Sequence, residues 1–305
     1  MIAVDAMGGD NAPEQIVKGS LLAAKSGIAI KLFGKEQELF SILDKQDLLW
    51  RKYNISVCDS SQIIHMEEEP VAAVKRKSES SLVKAIYSVK KGVCSALVSA
   101  GNSGAVMVCS TLILGKQNSI ERPAILGILP IKEKKVLCLD IGANVDCKPS
   151  HLVQFAFMAN DYAKKKLDIL NPRVALLSNG HEEGKGNKLV KQVYSILKDS
   201  NLNFVGNIEP YGIFKNHVDI VVSDGFYGNI LLKTIESCAW SFGLESNLWQ
   251  PGGAILVGVN GTVIIAHGNA FAEEIKNAIL LASKSSLKEE KFYGKYEKFN
   301  KCVDI

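Results

Sequence analysis

Aromatic residues are scarce, at 7% of the chain, which suits an α/β enzyme better than an aromatic-rich β-sandwich. Charge is nearly balanced. A formal net charge of +4 over 305 residues falls short of the clustered basic excess of a dedicated nucleic-acid binder. No apolar run reaches the ~18 residues needed to span a bilayer. No basic, apolar and small-residue signal opens the chain either. Met1 leads at once into a strand-like run containing Asp5, so a cytoplasmic location is expected. The seven cysteines form no Cys-x-x-Cys pair and stand at no zinc-finger spacing from a histidine. Most lie in apolar runs such as Lys135-Val136-Leu137-Cys138-Leu139, the pattern of reduced, buried thiols. No His/Asp/Glu cluster has metal-ligand spacing, and no Gly-x-Ser-x-Gly elbow is present, which disfavours a serine acyl-enzyme.

The remaining composition is that of a folded protein. Apolar residues make up 47%, enough for a sizeable core, and the 22% charged fraction excludes a disordered or fibrous chain. Short apolar strands alternate with helix-period segments from end to end. Strands are expected at Ile2–Val4, Ile28–Phe33, Ala96–Val98, Ile125–Leu129, Val136–Leu139, Val174–Leu177, Phe204–Val205, Val218–Val222 and Val263–Ala266. Helices are expected at Pro13–Lys25, Leu82–Val89, His151–Lys166, Lys188–Leu197 and Phe271–Leu287. Strands that are apolar throughout, separated by helices, indicate a largely parallel sheet covered on both faces. The pair Ile125–Leu129 and Val136–Leu139, joined by the charged stretch Lys132–Lys135, reads as an antiparallel hairpin. The expected organisation is one α/β domain over 1–287 and a charged tail over 288–305. In the tail, lysines interleave with Phe292, Tyr293, Tyr296 and Phe299. It is either a solvated end or a docking surface for an acidic partner.

Five polar, glycine-containing loops directly follow strands: Asp5–Asn11, Ser99–Gly104, Asp140–Asn144, Asn179–Asn187 and Asp224–Asn229. In a parallel sheet such loops emerge at the edge where open α/β folds bind ligands. Glycine admits close backbone approach, and the helix N-termini that follow attract anions. Any one of these loops alone is an ordinary turn signal. Their recurrence points to a cleft for a phosphate-bearing or otherwise anionic ligand. It is not a nucleotide loop of the known kinds. Gly180 and Gly184 are separated by three residues and Gly186 follows Lys185, so the Walker A spacing fails. No Gly-x-Gly-x-x-Gly opens the first strand-to-helix turn. Lys185, flanked by glycines, is either a flexible cation for a phosphate or an ordinary surface lysine. Arg122, just before Pro123, is either a second such cation or a plain surface arginine. His267, before Gly268, is read as accessory or structural, and His65, His151 and His217 as structural. Cys109 is read as core.

Several of these blocks, in order, resemble the bacterial phosphate acyltransferase family (PlsX). They are Asp5-Ala-Met-Gly-Gly-Asp10, Ser99-Ala-Gly-Asn-Ser-Gly-Ala105, Arg122-Pro-Ala124, Asp140-Ile-Gly-Ala-Asn144, Glu182-Glu-Gly-Lys-Gly-Asn187, Asp224–Phe226 with Gly228-Asn229, and Gly258-Val-Asn-Gly261. The resemblance runs from residue 1 to about 280. It implies a Rossmann-like three-layer α/β/α sandwich with a mostly parallel sheet, related to isopropylmalate dehydrogenase and phosphotransacetylase. It also implies transfer of a long-chain acyl group from acyl carrier protein to inorganic phosphate, giving acyl phosphate for phospholipid synthesis. A homodimer without metal or organic cofactor is implied as well.

Under that reaction phosphate is itself the nucleophile, so no catalytic Ser or Cys is required. Phosphate is placed against Asn102, Ser103 and Gly104, with Lys185 neutralising charge. Asn144, Asn229 and N–H groups near Gly228 are candidate oxyanion donors. Asp224 is expected to orient Lys185 or Asn229, or to accept a proton. Asp5, Gly8, Gly9, Arg122 and His267 complete the candidate substrate-binding set. Two departures from the family pattern stand out. His181 replaces a more usual acidic residue, and the segment 240–251 is shorter than the family's helical excursion. A loop of that length is a poor membrane helix, which argues against membrane contact. Two other readings remain open: a phosphotransacetylase-like enzyme using short acyl-CoA, and a non-catalytic phosphate-binding protein.

Overall fold

A computed structural model describes residues 1–131, 134–215, 217–243 and 252–286. The tail 288–305, most of the segment 240–251, and Lys132 and Glu133 of the hairpin turn lie outside the described residues. In chain order the elements are β1 (Ile2–Asp5), α1 (Glu14–Lys25), β2 (Ile30–Gly34), α2 (Glu36–Gln46), β3 (Ile55–Asp59), α3 (Pro70–Arg76), α4 (Ser81–Lys90), β4 (Ala96–Ser99) and α5 (Ser103–Ile113). There follow β5 (Ala124–Ile131), β6 (Lys134–Leu139), α6 (Pro149–Lys166), β7 (Arg173–Leu177), α7 (Lys188–Lys198), β8 (Asn203–Ile208), α8 (Pro210–Phe214), β9 (Ile220–Val222) and α9 (Gly225–Ser241). The last are β10 (Ala254–Val257), β11 (Thr262–Ile265) and α10 (Ala272–Ser286). A single 3₁₀ turn, Trp50–Lys52, joins α2 to β3.

The chain divides into two compact units. One comprises residues 1–116 with the described residues 252–286, and the other the described residues 117–243. In the first, the strand order is β3-β2-β1-β4-β11-β10, parallel except for the antiparallel β10–β11 pair. Every side chain of β1 and β4 is buried, so both faces of the sheet are covered. The amphipathic α1 turns Ile16, Val17, Leu21 and Ala24 inward and packs on α10. Burying its three larger aliphatics contributes about 1.5–3 kcal/mol each. In the second unit the order is β5-β6-β9-β7-β8, with β5 and β6 antiparallel and the remaining neighbours parallel. The expected hairpin is therefore present. Helix α6 lies against β6 and β9 and buries Leu152, Val153, Phe155, Ala156 and Met158. The fold is the mostly parallel α/β fold that the strand pattern implied, and Rossmann-like as the resemblance implied.

Candidate active site

In the first unit, the loops after β1, β4 and β11 pack on one another around a buried carboxylate. Asp5 is 3% exposed and accepts from the hydroxyls of Ser81 (2.6 Å) and Ser99 (2.8 Å). The Ser99 hydroxyl in turn accepts from the Gly101 N–H at 3.1 Å. Burial pushes the Asp5 pKa above the ordinary carboxylate value, against the lowering effect of the two serines. Gly8 lies against Gly101. A Cβ at Gly8 would sit 2.6 Å from the Asp5 carboxylate and 2.9 Å from the Gly101 backbone. Gly9, at φ +109°, packs against the Gly268 carbonyl, which also accepts from the Asp10 N–H.

Asn102 caps α5. Its carbonyl oxygen accepts from the Ala105 N–H at 3.1 Å, and its amide donates to the carbonyls of Met66 and Glu68. Ser103 is exposed in the first turn. The N–H groups of Ser103 and Gly104 have no carbonyl four residues back within the helix.

The second unit has an equivalent centre. Asp140 ends β6, fully buried, and gathers five hydrogen bonds. Oδ1 accepts from the N–H groups of Ile125 (3.0 Å), Gly142 (3.2 Å) and Ala143 (3.1 Å). Oδ2 accepts from the Asn144 N–H (2.7 Å) and its side-chain amide (2.9 Å). Burial raises its pKa and the hydrogen bonds oppose the rise. The Asn144 amide also donates to the Pro123 carbonyl at 2.9 Å, and its own carbonyl accepts from the Gly225 N–H at 2.7 Å. The turn thus ties the start of β5 to the start of α9. Asp224 caps α9 by accepting from the Tyr227 N–H at 2.9 Å; burial raises its pKa. Gly228 is buried against the Asp140 carbonyl, and Asn229 is exposed on the next turn.

The loop between β7 and α7 carries Lys185. The Lys185 N–H donates to the Glu182 carbonyl at 3.0 Å, the Gly186 N–H donates to the Asn179 side chain at 2.9 Å, and Asn187 caps α7. The Lys185 stem lies over Gly180, and its ammonium has no ion pair among the described residues. Its charge and that of His181 help hold Glu182 below the usual carboxylate range, after the larger effect of Glu182's own backbone N–H. Arg122 is exposed, also without an ion pair among the described residues.

The structure brings the candidate residues together in two sets. Asp5, Gly8, Gly9, Asn102, Ser103, Gly104 and the His267–Gly268 backbone belong to the first unit. Arg122, Asn144, Asp224, Gly228 and Asn229 belong to the second, with Lys185 on a neighbouring loop. The hydrogen bonds of three candidates bear on their expected roles, leaving proton acceptance by Asp224 as expected from sequence. Asp5 is enclosed by serine hydroxyls and ties its loops together. Asn144 directs its amide protons to Asp140 and Pro123, so none remains for an oxyanion. Asp224 caps α9 and makes no ion pair with Lys185 or hydrogen bond with Asn229 among the described residues. Asp140, Ser81 and the polar start of α6 are contributors that sequence reasoning missed. A carboxylate ending an apolar strand and followed by Gly-x-Asn was the available signal for Asp140.

Burial pushes the Cys109 and Cys147 thiols up to about 12, which disfavours a thiolate at either. Among the described residues no group of three or more His, Cys, Asp or Glu is placed to hold a metal ion, and no described helix is long and apolar enough to cross a membrane.

Comparison with known proteins agrees with this geometry. The family described as "Fatty acid synthesis protein" matches residues 1–244. The chain is 43% identical to a phosphate acyltransferase of Dictyoglomus turgidum, covering 93% of both chains. It is 44% identical to the Dictyoglomus thermophilum phosphate acyltransferase, again over 93% of both. Among solved structures, a phosphotransacetylase from Streptococcus pyogenes superposes with a TM-score of 0.70 at 18% identity, over 94% of each chain. A branched-chain phosphotransacylase from Enterococcus faecalis V583 gives 0.63 at 18% identity, over 95% of this chain and all of that one. At those identities the two structures support the fold alone.

Proposed function

Because the chain belongs to the fatty acid synthesis protein family, and within it to the phosphate acyltransferases, we propose that it moves a long-chain acyl group from acyl carrier protein to inorganic phosphate. The acyl phosphate formed would enter phospholipid synthesis. The relationship over 93% of the chain carries this reading. The site chemistry supports it, since burial favours the thiol form of Cys109 and Cys147 and the loops carry the exposed cations Lys185 and Arg122 instead.

In the proposed reaction a phosphate oxygen attacks the thioester carbonyl. The new C–O bond forms, the C–S bond breaks, and the carrier leaves as thiolate. A thiol pKa near 8.5 makes that departure feasible without strong acid help. The protein's task is to orient phosphate and thioester and to stabilise the oxyanion. Ser103, with the N–H groups of Ser103 and Gly104, is assigned to phosphate oxygens. Within the second unit, taken by itself, Lys185 and Arg122 are assigned to anionic charge, and Asn229 with the first-turn N–H groups of α9 to an oxyanion. Asp5, Asp140, Asn144 and Asp224 hold these donors in place. The enzyme is proposed to work as a cytoplasmic homodimer.

The test is thiol release from palmitoyl-acyl carrier protein, with and without phosphate, trapping acyl phosphate with hydroxylamine. Phosphate-dependent release with trapped product is expected. Release only from acetyl-CoA would replace this reading with the short-chain one, and phosphate binding without any release would leave a binding protein.

A further inference from the structure

The first two turns of α6 bury three polar side chains that all reach residues 119–121, Gln154 at their backbone and Ser150 and His151 at the Glu121 carboxylate. Ser150, His151 and Gln154 are 8%, 6% and 3% exposed. Gln154 accepts from the Glu121 N–H at 2.8 Å and donates to the Ser119 carbonyl at 3.0 Å. The Ser150 hydroxyl donates to Glu121 Oε2 at 3.1 Å, and His151 Nε2 lies 3.3 Å from the same oxygen. His151 Nδ1 accepts from the Lys148 N–H at 3.2 Å, so the proton sits on Nε2 and points at Glu121. On the other side of Arg122, the Pro123 carbonyl and the Ile125 N–H are fixed by Asn144 and Asp140. Arg122 therefore stands between two clamps, with its side chain exposed and no ion pair among the described residues.

Apolar replacements at buried polar positions are often neutral or better for stability, so a set this size aimed at residues 119–121 calls for a reason beyond packing. We propose that Glu121, gripped by Ser150 and His151, positions Arg122 as a phosphate-binding cation, with His151 as the positioning residue. This rests on the phosphate-acceptor reading above. The geometry explains why the histidine is neutral. Burial lowers its pKa below the ordinary value, and the Arg122 and Lys148 charges act in the same direction, while Glu121 opposes them. A neutral imidazole donates one directed proton to Glu121 and leaves the local positive charge to Arg122. Among the described residues, the charged groups that bear on the ring are those three.

The experiment is a double-mutant cycle on the full chain, read by titration calorimetry with inorganic phosphate and, separately, by KM for phosphate and kcat in the thiol-release assay. The variants are Arg122→Ala, His151→Leu, His151→Gln and the double variant Arg122→Ala/His151→Leu. His151→Leu should weaken phosphate binding about tenfold, the size expected for misplacing one charge-assisted contact, and raise KM with kcat held within about twofold. His151→Gln, which keeps a donor towards Glu121, should restore most of the affinity. In the Arg122→Ala background the His151→Leu change should have no further effect. Wild-type affinity in His151→Leu overturns the proposal, and so does a full tenfold loss persisting without Arg122. Thiol release separates the two claims. Its absence in a wild type that binds phosphate overturns the acyl-transfer reading alone, and the calorimetric cycle still decides the clamp.

Discussion

Asp140→Asn is the sharpest test of how the second unit is held. The carboxylate accepts five hydrogen bonds, three at Oδ1 and two at Oδ2, and is fully buried. An asparagine is nearly isosteric but has only one acceptor oxygen. If that oxygen takes the place of Oδ1, the bonds from Ile125, Gly142 and Ala143 survive. The new NH₂ then faces the Asn144 N–H and the Asn144 amide, donor against donor. The Asn144 amide keeps its second partner, the Pro123 carbonyl, so two protons lose their acceptor. At about 1–3 kcal/mol for each buried donor left unsatisfied, the fold should lose about 2–6 kcal/mol. A urea melt of wild type and variant reads this as a lower midpoint at unchanged slope. Activity should fall with it, because the Asn144 carbonyl holds the Gly225 N–H at the start of α9. A loss under about 1 kcal/mol would refute the reasoning, since it would mean the turn tolerates opposed donors.

Three further outcomes follow from the same geometry. Lys185→Ala should lower kcat/KM for phosphate by about 10²-fold without moving the urea midpoint, because the exposed side chain has no structural ion pair to lose among the described residues; unchanged turnover removes Lys185 from the reaction. Asn102→Ala should cost about 0.5–2 kcal/mol as a lost cap and free the Met66 and Glu68 carbonyls, so limited proteolysis should begin to cut near His65–Glu69; an unchanged digest counts against the tether. Burial lowers the His151 pKa, so the fold favours the neutral ring. That contribution is complete above the unfolded value of about 6.5 and is lost as pH falls through the lower folded value, so the wild-type Tm should drop relative to His151→Gln below pH 6.5; parallel curves would contradict a buried neutral imidazole.

The strands that read clearly from sequence are those buried on both faces. In β1, β4, β9 and β11 apolar residues run without interruption, because helices cover both sides. Strand β3 was silent for the opposite reason: it pairs only with β2, sits at the end of the strand order, and none of its side chains is buried. Helix α9 was equally hard to see. Phe226, Ile230 and Trp240 are exposed beside buried Leu232 and Ala239, so its apolar residues surround the helix and blur the 3.6-residue period. The site was legible as places rather than roles. Glycines and acids after strands located each loop, since only backbone turns and helix caps require that chemistry there. The partners of Asp5, and the Ile125 N–H that Asp140 holds, come from distant strands and helix starts, and no local pattern carries them.

Gly228 shows what that local reading misses, and its replacement gives a test with a reversed sign. In a helix, Gly→Ala normally stabilises by about 1 kcal/mol. Here a Cβ would stand 1.9 Å from the Asp140 carbonyl oxygen and 2.7 Å from the Ser223 hydroxyl. The first of these is backbone at the end of a buried strand and has nowhere to go. Helix α9 would have to back away by about 1.5 Å to reach ordinary contact, stretching the 2.7 Å bond from the Gly225 N–H to Asn144 and turning its first-turn donors off target. Gly228→Ala should therefore destabilise by about 3 kcal/mol or more, in the range of overpacked cores, and abolish phosphate-dependent thiol release. Gly184→Ala is the control: nothing lies within 4 Å of its Cβ position, so stability should be unchanged. If Gly228→Ala melts at or above wild type, α9 does not press on the Asp140 turn, and the route by which that turn positions the first-turn donors of α9 is wrong.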